Sequence, residues 1–234
     1  MNRREVLRYL GYGRRNADEQ VSELLEECWA ELTAAASPRC ISRSYGLHFF
    51  EEDGIDSTCF QTHSKSLRKN LEDCEQILLF AATLGAKVDL LIQKYNRIQM
   101  SKAVILQAEA AAMLEDYCNE ENRKLKESYE EEEWFLRPRF SPGYGDFPLE
   151  CQGALLGALE AGKRIGITLT DSLLMAPVKS VTAVIGMSRI RRDCTVKGCE
   201  VCEKTDCAYR RNETARDSNL ENDLGNNSGN GKRG

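Results

Sequence analysis

Residues 137–148, Arg-Pro-Arg-Phe-Ser-Pro-Gly-Tyr-Gly-Asp-Phe-Pro, place three prolines and two glycines within twelve positions. Proline fixes φ and removes a backbone donor, while glycine moves freely into φ > 0. No regular element tolerates that density, so the segment is a rigid, irregular loop and the fold is built on either side of it. It carries two arginines, an aromatic ring and bare backbone amides. That set suits a planar ligand bearing a carboxylate; by composition alone it also suits an ordered surface turn.

Periodicity predicts what the loop joins. Val21, Leu24, Leu25, Cys28, Trp29 and Leu32 recur at helical spacing through residues 17–36, with Glu19, Glu23, Glu26 and Glu27 on the wet side. Ser37-Pro38 ends that helix. Residues 40–50 alternate as a strand, Glu52-Asp53-Gly54 turns, and a partner strand is expected around residues 57–61. Leu67 and Leu71 mark a short helix. Residues 76–83 are almost continuously apolar, the pattern of a strand covered on both faces.

Residues 86–99 predict another helix. Ser101 is a candidate cap for the next, in which Val104, Ile105, Ala108, Ala111, Ala112 and Cys118 form a narrow, alanine-rich packing face. The charged run 119–133 reads as a solvated helix end and loop. Beyond the Pro/Gly segment, residues 149–161 are expected as a helix closing at Gly162. Residues 166–169 and 180–187 read as a hairpin or adjacent strands. Buried strands mixed with packed helices make the chain α+β.

At 234 residues the length allows one domain or two small ones. A net charge of −5 leaves no basic footprint for nucleic acid. Residues 165–187 are the most apolar stretch, but Asp171, Pro177 and Lys179 interrupt it, so no membrane span is expected. The polar opening Met1-Asn-Arg-Arg-Glu is not a secretory leader, and a cytoplasmic chain is expected. In that setting ten cysteines are reduced thiols or ligands rather than disulfides. His48 and His63 lack partner spacing and read as structural.

Four of the cysteines stand apart. Cys194-x4-Cys199-x2-Cys202-x4-Cys207 puts four thiols within fourteen residues, bracketed by Arg191, Arg192, Lys197, Lys204 and Arg210. The cations favour thiolates, and the spacing lets all four converge on one zinc ion or iron–sulfur cluster. From Asn212 onward almost nothing is apolar, and a disordered tail over 212–234 is expected.

Arg139-x-x-Pro142-Gly143-Tyr144, followed by Pro148, resembles the S-adenosylmethionine-binding loop of the activation domain of cobalamin-dependent methionine synthase. Glu133 matches an acidic position used for the same ligand. Leu169-Thr170-Asp171-Ser172, Met175-x-Pro177 and Ser180-Val181 resemble the segment after the loop. The similarity spans roughly residues 5–190 and implies a curved antiparallel sheet flanked by helices over 1–190, with a Cys-rich metal-binding segment at 191–211 appended. The resemblance implies that Arg139 forks the ligand carboxylate and that Glu133 accepts from its ammonium or its ribose hydroxyls. Pro142, Gly143 and Tyr144 would supply backbone polar groups and shape.

The chemistry the resemblance implies is reductive methylation of a corrinoid, with the protein contributing mainly orientation. Methionine synthases carry a cysteine where Phe147 stands and an acidic–His–Thr–Glu–Lys run where Leu149-Glu150-Cys151-Gln152 follows. The D-x-H-x-x-G cobalamin signature is absent from this chain. The cobalamin is therefore expected on a partner, a cobalamin-binding methionine synthase or another corrinoid protein, with an electron donor. The leading expectation is a free-standing activation module. The alternative is a non-catalytic accessory or docking subunit of a corrinoid methyltransferase, and a metal-sensing binding protein is the third.

Overall fold

The apolar run at residues 76–83 is the spine of the fold. Strand geometry sends successive side chains to opposite faces, so Leu78, Phe80 and Ala82 enter one core and Ile77, Leu79 and Ala81 another. The computed structural model describes residues 1–12 and 15–192. The expected metal ligands Cys194, Cys199, Cys202 and Cys207 and the tail over 212–234 lie outside the described residues.

The chain opens with helices α1 (Arg3–Tyr9) and α2 (Glu19–Ala35), then strands β1 (Arg39–Phe50), β2 (Gly54–Ser57) and β3 (Phe60–His63). Helix α3 (Lys65–Asn70) leads into β4 (Gln76–Thr83), and a helical hairpin follows, α4 (Ala86–Ile98) and α5 (Met100–Glu130). After the short β5 (Phe135–Leu136) come α6 (Cys151–Ala158), α7 (Ala161–Arg164), β6 (Thr168–Leu169), β7 (Met175–Ala176) and β8 (Ser180–Ser188).

Six strands form one antiparallel sheet in the order β3-β2-β1-β4-β8-β5. β1 holds its partners on different halves, β4 along Arg39 to Gly46 and β2 along Leu47 to Phe50. Helices α1, α2, α4 and α5 cover one face, and α3, α6 and α7 the other. The fold is therefore α+β, as expected.

α2 begins at Asp18, whose Oδ1 accepts from the Val21 N–H at 2.8 Å, and it buries Leu25, Cys28 and Leu32 fully. On α5, buried Ala103, Ala108, Ala110 and Ala112 let neighbouring helices approach closely. One polar residue is out of place there. Glu109 is 0% exposed among the apolar contacts between α5 and α2, and neither carboxyl oxygen has a hydrogen-bond partner.

Several expectations shift. The strand expected at 57–61 is two strands, β2 and β3, because Ser57 Oγ accepts from the Cys59 and Phe60 N–H groups and turns the chain there. Ser101 does not cap α5. A single extended residue, Gln99, separates α4 from α5, so the helix has already begun. Val104 points outward at 52% exposure, since the buried stripe passes it on either side through Ala103, Ile105 and Leu106. α5 continues to Glu130, so nearly all of the charged run expected as a helix end and loop is helix. The helix after the loop breaks at Glu160, which takes a left-handed φ of 51°, before Gly162 is reached. Finally, β6 pairs with β7, while β8 lies between β4 and β5.

Candidate functional site

The approach to the loop is an edge strand with one residue too many. Leu136 opposes Met187 and Phe140 bridges Val184, so four chain steps face three. That count is a β-bulge, and it falls on Arg137-Pro138-Arg139, where proline has no N–H to give the ladder. The Arg137 N–H still donates to the Gly186 carbonyl at 2.8 Å, and its side chain is buried, donating to the Ile190 carbonyl at 3.1 Å. Arg137 thus belongs to the scaffold.

Arg139 emerges after the bulge toward α5. Its Nη2 donates to Glu115 Oε1 at 2.9 Å and to Asn119 Oδ1 at 2.8 Å. Glu115 and Asn119 are one helical turn apart and so share a face of α5. The Arg139 side chain is 15% exposed, and its Nη1 is buried with no hydrogen bond. Nearby, burial pushes the Cys118 thiol up to about 11 against the pull of the Arg139 charge.

The loop itself closes tightly. The Tyr144 N–H donates to Ser141 O at 3.1 Å, Phe147 N–H to Tyr144 O at 3.0 Å, and Gly143 N–H to Phe147 O at 2.8 Å. Gly143 sits at φ 88° and Gly145 at φ 55°, where a side chain is strained. Pro142 is buried, whereas Tyr144 is 68% exposed. Beneath the turn Phe147 is 1% exposed, with ring centroids 6.0 Å from Phe60 and 6.3 Å from Phe140.

Of the residues expected from sequence, Pro142, Gly143 and Tyr144 form one turn with Arg139 three residues before it. Glu133 stands at the other end of the run, exposed, with φ 61° at the close of α5. Sequence reasoning misses Glu115 and Asn119, whose i, i+4 spacing is the available signal.

His63 sits beside Glu51 at 3.2 Å and edge-on to Phe50, an exposed structural contact. A cavity of about 390 Å³ lined by Leu10, Tyr12 and Asp18 contains none of the expected site residues. Among the described residues no cluster of three or more His, Cys, Asp or Glu could hold a metal. Among them, too, no helix is long and apolar enough to cross a membrane.

An antiparallel sheet covered on both faces, with an arginine-bearing Pro-Gly-Tyr loop at its edge strand, defines the class of this domain. The family described as vitamin B12-dependent methionine synthase, activation domain, matches residues 67–212. That is more than half of the sequence, and the chain belongs to this family. The fold is similar to a crystal structure of the MetH reactivation domain bound to AdoHcy, with a TM-score of 0.59 and 16% identity over 79% of this chain and 73% of that one. No curated protein matches.

Proposed function

We propose that this chain binds S-adenosylmethionine at the 139–144 loop and supports reductive methylation of a corrinoid carried by a partner. The observation that carries the reading is Arg139. Its guanidinium is held from behind by Glu115 and Asn119, and one nitrogen lacks a partner. That nitrogen lies beneath the surface, so a ligand carboxylate, the natural acceptor for a guanidinium, would engage it as the side chain turns outward from Glu115 and Asn119. Glu115, beside Arg139, offers an acceptor for the ligand ammonium. Tyr144 covers the ligand from the solvent side, and Glu133 receives the far end through the ribose hydroxyls.

When bound, S-adenosylmethionine supplies an activated methyl group. The chain's own residues grip and orient it, which converts an encounter into a positioned transfer. Phe147, the departure from the methionine synthase pattern, is packed under the loop, while Tyr144 stays exposed. The partner is a cobalamin-binding methionine synthase or another corrinoid protein acted on in trans, within the cytoplasm. Cys194, Cys199, Cys202 and Cys207 hold zinc or an iron–sulfur cluster, and an iron–sulfur cluster would receive electrons from a donor.

Calorimetric titration with S-adenosylmethionine tests the site. Replacing Arg139 by Ala is expected to weaken binding by about 1.5–3 kcal/mol, the range for a charge-assisted hydrogen bond. Equal affinities for the wild type and Arg139→Ala refute the assignment.

A further inference from the structure

Asp146 is exposed, yet its carboxylate is heavily engaged. Oδ1 accepts from Ser64 Oγ at 2.6 Å and from the Ser66 N–H at 3.0 Å, while Oδ2 accepts from the Lys65 N–H at 2.8 Å. These donors are the first groups of α3, whose N-terminal N–H groups have no partner within the helix. Ser64 Oγ also accepts from the Leu67 N–H at 3.1 Å, so one hydroxyl joins the helix cap to the loop. The bonds, that from Ser64 foremost, hold the Asp146 carboxyl well below the usual carboxylate range.

The platform is rigid. Leu67 and Leu71 of the α3 segment are fully buried, and the Arg68 guanidinium lies 3.6 Å from the centroid of the Phe49 ring. On the loop side, Gly145 comes so close that a Cβ there would stand 2.7 Å from Ser66 Oγ. Phe147 then drives into the core. Backbone contact, carboxylate and aromatic anchor fall on three consecutive residues, directly after Tyr144.

We infer that Asp146 is a positioning residue, tying the 142–144 turn to α3 so that the turn holds the shape that receives S-adenosylmethionine. The inference rests on the ligand site proposed above. A loop ordered during folding is not ordered again at the cost of affinity. Where the untied loop keeps its path about a tenth of the time, apparent affinity falls about tenfold.

The test uses the full chain with Asp146→Asn and Ser64→Ala. S-adenosylhomocysteine is titrated calorimetrically well below the unfolding temperature, and hydrogen exchange across residues 140–148 is followed without ligand. For Asp146→Asn the expected result is faster exchange and roughly tenfold weaker binding with a near-native Tm. Ser64→Ala, which removes the helix cap but leaves Asp146 its two backbone donors, lowers Tm more and affinity less. Exchange in Asp146→Asn equal to wild type overturns the tie. Faster exchange with unchanged affinity overturns the positioning role. Wild type that fails to bind S-adenosylhomocysteine overturns the ligand site and this inference together, while the exchange rates still show whether the tie exists.

Discussion

Glu109 makes stability fall as pH rises. Its carboxyl is fully buried without a hydrogen-bond partner, and desolvation, aided by the charge of Glu26 on α2, pushes it from 4.5 up to about 8. The folded chain therefore keeps a proton that the unfolded chain releases. Below pH 4.5 both states are protonated and the ionisation cost vanishes, leaving only that of the buried neutral carboxyl. Between 4.5 and 8 the cost grows, and above 8 it is constant. The full shift amounts to about 5 kcal/mol, of which roughly 3 kcal/mol has accumulated at pH 7.

Cys28, which lies close by, is pushed up to about 12, mainly by burial, and does not titrate in this window. Glu109→Leu replaces the carboxyl with an apolar group of similar size and removes the whole cost. At pH 7 it should raise Tm by about 6–12 °C, scaling from domains of this size. Glu109→Gln should flatten the pH dependence as well, with a smaller gain because a polar group stays buried. Thermal unfolding by circular dichroism from pH 5 to 8.5 reads all three proteins. A wild-type slope identical to that of Glu109→Leu, or a leucine variant less stable at pH 8, refutes the reasoning.

Gly186 on β8 faces a filled space, where an added Cβ would lie 2.5 Å from Cys74 Sγ and 2.9 Å from Leu71 Cδ2. Gly186→Ala should cost about 1–3 kcal/mol in denaturant unfolding, and a neutral result would mean that this side of the sheet is loosely packed. The four cysteines between 194 and 207 are expected to retain metal after anaerobic purification. Elemental analysis with visible absorption separates zinc from iron–sulfur, and metal-free protein ends the proposal.

Elements that signal through their own periodicity are legible in the amino-acid sequence alone. The apolar run of β4, buried on both faces, matches residue for residue, and the stripe of α2 and the short α3 stand out as well. The far half of α5 is legible only in part, because its dense charge hides where the helix ends, and only Leu125 and Tyr129 there pack on the core. Its Glu120, Arg123 and Glu127 pair at i, i+3 and i, i+4 spacing and support a solvated helix. Strand partnership is legible only in part: two-residue β6 and β7 carry too little pattern to declare each other, and nothing in β8 announces β4 about a hundred residues earlier. The loop is legible because proline and glycine act locally. Glu115 and Asn119, the partners of Arg139, lie 24 and 20 residues upstream of it and meet it only through the fold.

The placement of β8 has a kinetic consequence. β4 is complete at residue 83, but the strand that closes its inner ladder, β8, begins only at Ser180. During synthesis, the most apolar strand of the chain waits with β1 on one side and an open row of backbone donors and acceptors on the other. Contacts of such long sequence separation form slowly, because loop closure precedes any gain from pairing. The helical hairpin α4–α5, made in the interval, can shield one face of β4, but not its edge. Between those two events the nascent chain is at its most prone to pair with the wrong strand, its own or a neighbour's.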